Sequence, residues 1–258
     1  MTMQPDRQDA YDLAVIAAEI ARAHFRNPLD ITLKADESPV THADLAVETA
    51  IRAEIARRFP QHGIYGEEFG KSGAMADGFW IIDPIDGTRS FLSGNPLFGF
   101  LLGFFAPDGQ AIGVVGMPML EEIYTASAGG GAFLGDRPLR TSGQTDLDQA
   151  ILYINEGEKI WRSEPAVFAS LMGTGQTRRL GYDCYPHALV AAGHVDAVVD
   201  FDLAPYDFLP VSVVVQEAGG VMTDWDGAPL TIESDGRTLT AANATLHRKL
   251  LERVRGAR

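Results

Sequence analysis

Trp80-Ile81-Ile82-Asp83-Pro84-Ile85-Asp86-Gly87-Thr88 runs a short apolar stretch straight into two carboxylates. Phe79 to Ile82, bounded by turn residues, predicts a strand. Proline fixes φ and glycine permits a tight turn, so a buried strand ending this way can aim Asp83 and Asp86 at one point beyond its end. Hard cations such as Mg²⁺ take oxygen ligands, usually a few carboxylates with water and phosphate oxygens, which makes the pair a candidate metal site. The N–H groups of Gly87 and Thr88, at a helix start, can hold an anion. A Pro-x-Asp-Gly turn with Asp86 solvated or capping the next helix explains the same residues, and the tetrapeptide alone does not choose.

Two further acidic segments flank this one. Gly66-Glu67-Glu68-Phe69-Gly70 lies upstream, and Pro205-Tyr206-Asp207-Phe208 lies downstream, before an apolar helical run ending Glu217-Ala218-Gly219-Gly220. Taken singly, paired glutamates are usually a solvated surface, Asp207 can simply cap its helix, and the glycine pair can simply stop it.

Working outward, apolar residues at Leu13, Ile16, Ala17 and Ile20 predict an amphipathic helix over about 6–26, stopped by Asn27-Pro28. Val47, Ile51 and Ile55 predict a second helix ending near Pro60. Strands are predicted at Leu97 to Phe105, Ile112 to Met117 and Glu121 to Ala126. Beyond about Arg140, strands at Ile151 to Asn155, Val195 to Phe201 and Val221 to Asp224 alternate with helices around Glu164 to Met172, Tyr185 to Ala192 and Tyr206 to Ala218. That alternation predicts a layered α/β structure. The chain divides near residue 140 into an N-terminal α+β half (1–140) carrying most of the acids and a C-terminal α/β half (141–258) supplying Asp207. No linker separates them, so their boundary should be tightly packed.

The 258 residues, 46% of them hydrophobic, suffice for a large core. A formal charge of −14 disfavours nucleic-acid binding, which needs Lys and Arg against phosphates; it suits an acidic protein that holds cations, or simple solubility. The sole cysteine, Cys184, rules out an internal disulfide framework and fits a reducing, cytoplasmic setting. No apolar stretch reaches the length of about 18 residues needed to span a membrane, and the first residues do not read as a secretory signal. Cys184 has no evident activating partner, the histidines show no metal-ligand spacing, and Gly129-Gly130-Gly131 lacks the lysine of a phosphate-binding P-loop and reads as a turn.

In this order, the three acidic segments resemble the inositol monophosphatase superfamily of metal-dependent, lithium-sensitive phosphatases, over nearly the whole chain from Lys34 to about Pro229. The resemblance implies alternating αβαβα layers, Mg²⁺ as cofactor at about two or three ions per site, a small-molecule phosphate ester as substrate, and a homodimer. Carried over residue by residue, it implies metal ligation by Glu67, Asp83, the Ile85 carbonyl, Asp86 and Asp207. Gly87 and Thr88 would bind phosphate, while Thr88 with Asp44 would orient an attacking water beside Glu67. Thr41-His42-Ala43-Asp44 also reads as a capping box, and the two roles can coexist. Lys34 would sit on a loop near the site, although a surface lysine is the commoner case.

Within that superfamily, Gly87-Thr88-Arg89-Ser90-Phe91 and Gly181-Tyr182-Asp183-Cys184-Tyr185, with Leu203-Ala204-Pro205-Tyr206-Asp207, resemble the histidinol-phosphate phosphatase branch of histidine biosynthesis. An inositol phosphate or another sugar phosphate is the alternative, and a non-catalytic binding protein on the same fold is a third. Arg89, Asp183 and Asp200 are the expected substrate contacts, the two acids attracting a cationic leaving group. Phe100, Pro186 and Pro210 depart from the superfamily pattern; each proline is expected in the first turn of a helix.

Overall fold

The computed structural model describes residues 4–27, 31–33 and 39–258; Lys34 lies outside them. Helix α1 (Arg7–His24) starts at Asp6, which exchanges hydrogen bonds with Asp9 in a reciprocal cap, and it buries Leu13, Ala14, Ala17 and Ala21 along one face. Strands β1 (Ile31–Leu33) and β2 (Pro39–Thr41) pair antiparallel. Helix α2 (His42–Arg58) then packs on α1. Its capping box is formed: Thr41 Oγ1 accepts from the Asp44 N–H at 3.4 Å, and Asp44 Oδ2 accepts from the Thr41 N–H at 2.9 Å.

Strands β3 (Gly63–Gly66), β4 (Gly70–Ser72), β5 (Phe79–Asp86), β6 (Gly99–Phe105), β7 (Ala111–Met117), β8 (Glu122–Ser127), β9 (Gly131–Leu134) and β10 (Arg137–Pro138) form a sheet in the order β10-β9-β8-β7-β6-β5-β3-β4. Between β5 and β6 sits helix α3 (Thr88–Leu92). Trp80 and Ile82 face the core under α1 and α2, whereas Ile81 faces the opposite core. Both faces of β5 are therefore covered, and its apolar run does not alternate.

The second sheet holds β11 (Ile151–Asn155), β12 (Thr177–Gly181), β13 (Ala197–Asp200), β14 (Val221–Asp224) and β15 (Thr238–Ala241), in the order β12-β11-β13-β15-β14. Helices α4 (Gly157–Ser163), α5 (Pro165–Met172) and α8 (Ala244–Arg255) belong to its outer side, where Val167, Leu171, Leu246 and Leu250 pack on Leu152 and Ile154. Between the sheets lie α6 (Tyr185–Ala191) and α7 (Pro205–Glu217). The layers thus alternate αβαβα. Phe208 to Val215 are all buried, as a helix between two sheets requires. Among the described residues, no helix is long and apolar enough to cross a membrane.

Pro186 stands in the first turn of α6 as expected, but Pro210 is inside α7. The helix begins at Pro205, which places Pro210 past the first turn and leaves the Tyr206 carbonyl without its usual donor. Close approach of the sheet accompanies this: a Cβ on Gly113 would lie 2.2 Å from the Pro210 carbonyl oxygen. Gly129 and Gly131 form the expected turn, which is tied down because both N–H groups donate to the Glu217 carboxylate at 2.9 Å.

Candidate active site

The register of β5 against β6 breaks between Asp83 and Asp86. This irregularity re-aims the end of the strand so that both acids reach the same side. Asp83 Oδ1 accepts from the Ile85 N–H at 3.0 Å, which closes the turn. Gly87 follows at φ 92, a left-handed conformation open to glycine, and a Cβ there would strike the Asp183 carboxyl at 2.5 Å. Asp207 arrives at the third position of α7, where it accepts from the Ala204 N–H at 2.7 Å. It is both a helix cap and a member of the acidic group. One carboxylate oxygen each from Asp83, Asp86 and Asp207 lies within 4.8 Å of the others.

Burial first, then the charges of Glu67, Asp207 and Asp86, push the Asp83 carboxyl well above the ordinary range. Asp86 is raised by burial and by Asp183 and Asp207, against the lowering pull of the Cys184 N–H. Burial raises Asp207 to about 7, opposed by its bonds from Ala204 and Asp83. Like charges out of water cannot all ionise unaided. Of the residues lining the cavity around them, the basic ones are Arg89 and Lys159; Lys159 Nζ is already held by Glu156 at 3.0 Å and Asp202 at 3.1 Å. An all-oxygen, negatively charged donor set of this kind fits a hard divalent cation.

Glu67, Asp83, Ile85, Asp86, Gly87, Thr88, Arg89, Asp183 and Asp207 line one cavity of about 810 Å³. Thr88 Oγ1 lies 3.2 Å from Asp44 Oδ1 and 3.3 Å from the Ile85 carbonyl oxygen. Asp44, fully buried beneath Thr88, is raised by burial against its bonds from Thr41. Asp183 Oδ2 accepts from Ser90 Oγ at 2.5 Å, and its carboxyl is pushed up to about 6, chiefly by burial.

Asp200 is placed differently from the expectation of a direct substrate contact. It is 2% exposed and does not line the cavity. Its oxygens are taken by Asn155 Nδ2 at 2.8 Å, His187 Nε2 at 3.0 Å and the Phe201 N–H at 2.8 Å. The carboxylate accepts, so His187 Nε2 donates to it, and Nδ1 lies 2.9 Å from the Thr240 hydroxyl. The same Asn155 Nδ2 donates to the Asp183 carbonyl at 3.0 Å. Asp200 therefore supports Asp183 through Asn155.

Sequence reasoning missed Glu156, Glu158, Lys159 and Asp202 on the cavity wall. Glu156, Asp183 and Asp202 all hold left-handed φ values of 48°, 59° and 64°, a strained state for residues with a Cβ. One available signal was topological: β11 and β13 run parallel, and clefts in such sheets open beyond the carboxyl ends of the strands, where Asn155 to Glu158 and Asp202 lie.

The chain belongs to the inositol monophosphatase family, whose model matches residues 2–258. By class it is a phosphatase acting on small phosphate esters. A histidinol-phosphatase of Chlorobaculum parvum is 36% identical over 255 residues, 98% of this chain and 97% of that protein. The histidinol-phosphatase of Mycobacterium tuberculosis is 35% identical over 255 residues, 95% of this chain and 96% of the other. Among solved structures, an inositol monophosphatase from Zymomonas mobilis superposes with a TM-score of 0.85 at 33% identity, covering 98% of this chain and all of that one.

Proposed function

We propose that the protein is a Mg²⁺-dependent histidinol-phosphate phosphatase. The observation that carries the hydrolytic reading is the meeting of Asp83, Asp86 and Asp207 within 4.8 Å, on a cavity that Glu67 and Thr88 also line. Glu67, Asp83, Asp86, Asp207 and the Ile85 carbonyl would hold the cations. When bound, about two or three Mg²⁺ ions acidify the attacking water and neutralise charge on the leaving oxygen. The backbone N–H groups of Gly87 and Thr88 hold the phosphate at the start of α3. Asp44 fixes the Thr88 hydroxyl, which orients the water for in-line attack, and Glu67 stands on the water side.

Histidinol carries an ammonium group and an imidazole. Asp183, Glu156, Glu158 and Asp202 all line the cavity, and with Lys159 already held by Glu156 and Asp202, Asp183 and Glu158 remain as its acidic wall. At neutral pH the Asp183 carboxyl at about 6 is mostly ionised and attracts a cation. Arg89, which lines the same cavity, would contact the phosphate end. Similarity to two histidinol-phosphatases at 36% and 35% identity supports the choice. The second reading, an inositol or other sugar phosphate, is favoured by the 33%-identical inositol monophosphatase structure. Turnover of histidinol phosphate and inositol 1-phosphate with Mg²⁺ decides between them. A higher kcat/KM for inositol 1-phosphate would refute the first choice, and inactivity on a broad ester panel would favour a binding role.

A further inference from the structure

Glu48 is a fully buried carboxylate on α2, one turn beyond Asp44. It accepts from the N–H groups of Glu68 at 2.7 Å and Phe69 at 3.2 Å, the two amides that follow Glu67. On the other side of Glu67, Gly66 packs face-on against the same group: a Cβ there would lie 2.0 Å from Glu48 Oε1. The carboxylate is secured by Arg52 Nε at 2.7 Å. Arg52 in turn donates to the Gly70 carbonyl at 2.5 Å and to Ser72 Oγ at 2.9 Å. The backbone on both sides of Glu67 is thereby tied to one face of α2, while the Glu67 N–H itself donates to the Ile82 carbonyl of β5 at 3.0 Å. Hydrogen bonds to an ionised acceptor are shorter and stronger than neutral ones, which suits a group that must hold an acid beside other acids.

The same helix also reaches Thr88, whose hydroxyl donates to Asp44 Oδ1 at 3.2 Å. Asp44 and Glu48 are one turn apart, about 6 Å along the axis. We propose that Glu48, locked by Arg52, is a positioning residue for Glu67, and that α2 sets the spacing between Glu67 and Thr88. The inference rests on the reading of Glu67 as a metal ligand.

The test measures Mg²⁺ binding by calorimetry for wild type, Glu48→Gln, Glu67→Gln and the double variant, alongside melting temperatures and kinetics. Glu48→Gln should weaken Mg²⁺ binding about 10-fold, the scale at which groups behind a metal ligand act. It should raise the Mg²⁺ concentration for half-maximal rate by a similar factor, and change KM for the ester less than about two-fold once Mg²⁺ saturates. The double variant should bind no more weakly than Glu67→Gln, since the two act through one group. Arg52→Lys, which keeps the charge but loses the fork, should show a smaller shift of the same kind and covers the case in which Glu48→Gln does not fold. Wild-type Mg²⁺ affinity in either folded variant, or additivity with Glu67→Gln, overturns the positioning role while leaving the phosphatase reading intact. A wild-type protein that binds no Mg²⁺ overturns both.

Discussion

The Cys184 backbone N–H donates to Asp86 Oδ2 at 2.5 Å, joining positions 98 apart in sequence. Through this bond the segment that carries Asp183 is attached directly to the acidic group at the end of β5. Cys184 itself is buried, and burial with the nearby Asp86 charge raises its thiol well above the ordinary range, so it stays a protonated packing residue. Cys184→Ser should leave phosphatase activity within about three-fold of wild type, because the bond uses the backbone. A loss on the order of 10²-fold, measured as kcat with Mg²⁺ saturating, would show that the thiol does more.

The acids make stability depend on pH in a definite direction. Asp207 sits at about 7 in the folded chain, against about 3.9 for an unfolded aspartate. Between those values the folded state binds the extra proton, so this group's contribution is full below about pH 4 and is lost as pH rises through about 7. In EDTA the melting temperature of wild type should therefore fall between about pH 5 and pH 8 more steeply than that of Asp207→Asn. Adding Mg²⁺, which needs the deprotonated form, should raise wild type more at the high end of that range. Equal slopes for the two proteins without metal would contradict the argument.

Asp83 is the most crowded acid, pressed by Glu67, Asp207 and Asp86. Asp83→Asn removes one of the repelling charges, so the metal-free protein should melt higher than wild type while kcat falls by about 10³-fold, as expected for loss of several kcal/mol of cation-assisted stabilisation. Calorimetric melting in EDTA and turnover in Mg²⁺ give the two signs. A variant that is less stable without metal would show that Asp83 serves the fold first.

On β7, Gly113 lets α7 approach the sheet. Its Cβ would meet the Pro210 carbonyl oxygen at 2.2 Å and Val213 Cβ at 2.8 Å. Gly113→Ala should destabilise by about 1–3 kcal/mol through overpacking, read by urea denaturation, and should pull Asp207 out of register with Asp83, because Asp207 rides on α7 while Asp83 is held in β5. A neutral substitution would mean that the helix can slide without loss.

Much of this was legible from residues 80–88, since a covered strand entering Asp-Pro-Ile-Asp-Gly has few uses besides a turn or an anchored site. The capping box at Thr41 and Asp44 was legible for the same reason, a local spacing with a local cause. Strand β12 was not: Thr177, Arg178, Arg179 and Leu180 are all exposed at a sheet edge, so no burial patterned them. Strand β15 hid because its buried Thr238 and Thr240 read as polar. Helix α8 carried a usable signal in its Asn243 cap and in Leu246, Leu250 and Val254, which went unread. The misplacement of Asp200 has a long-range cause: only the fold reveals that His187, itself backed by Thr240, and Asn155 converge on it.

That convergence yields the sharpest statement about selectivity. Asp183 is the carboxylate over Gly87, and its backbone is held by Asn155, which bonds Asp200, which His187 bonds in turn. If Asp183 recognises a cationic leaving group, Asp183→Asn should lower kcat/KM for histidinol phosphate by about 10–100-fold, the scale of one charge-assisted contact, while changing that for a neutral sugar phosphate by less than about three-fold. Asn155→Ala should reproduce the direction at smaller amplitude, because it loosens the Asp183 backbone without removing the charge. His187→Gln, which can still donate to Asp200, should fall between wild type and Asn155→Ala. Parallel kinetics on both esters at saturating Mg²⁺ test the order. Equal losses on the two substrates would assign Asp183 to phosphate or cation binding instead of to the alcohol, and the acidic wall would then no longer argue for an ammonium-bearing ester.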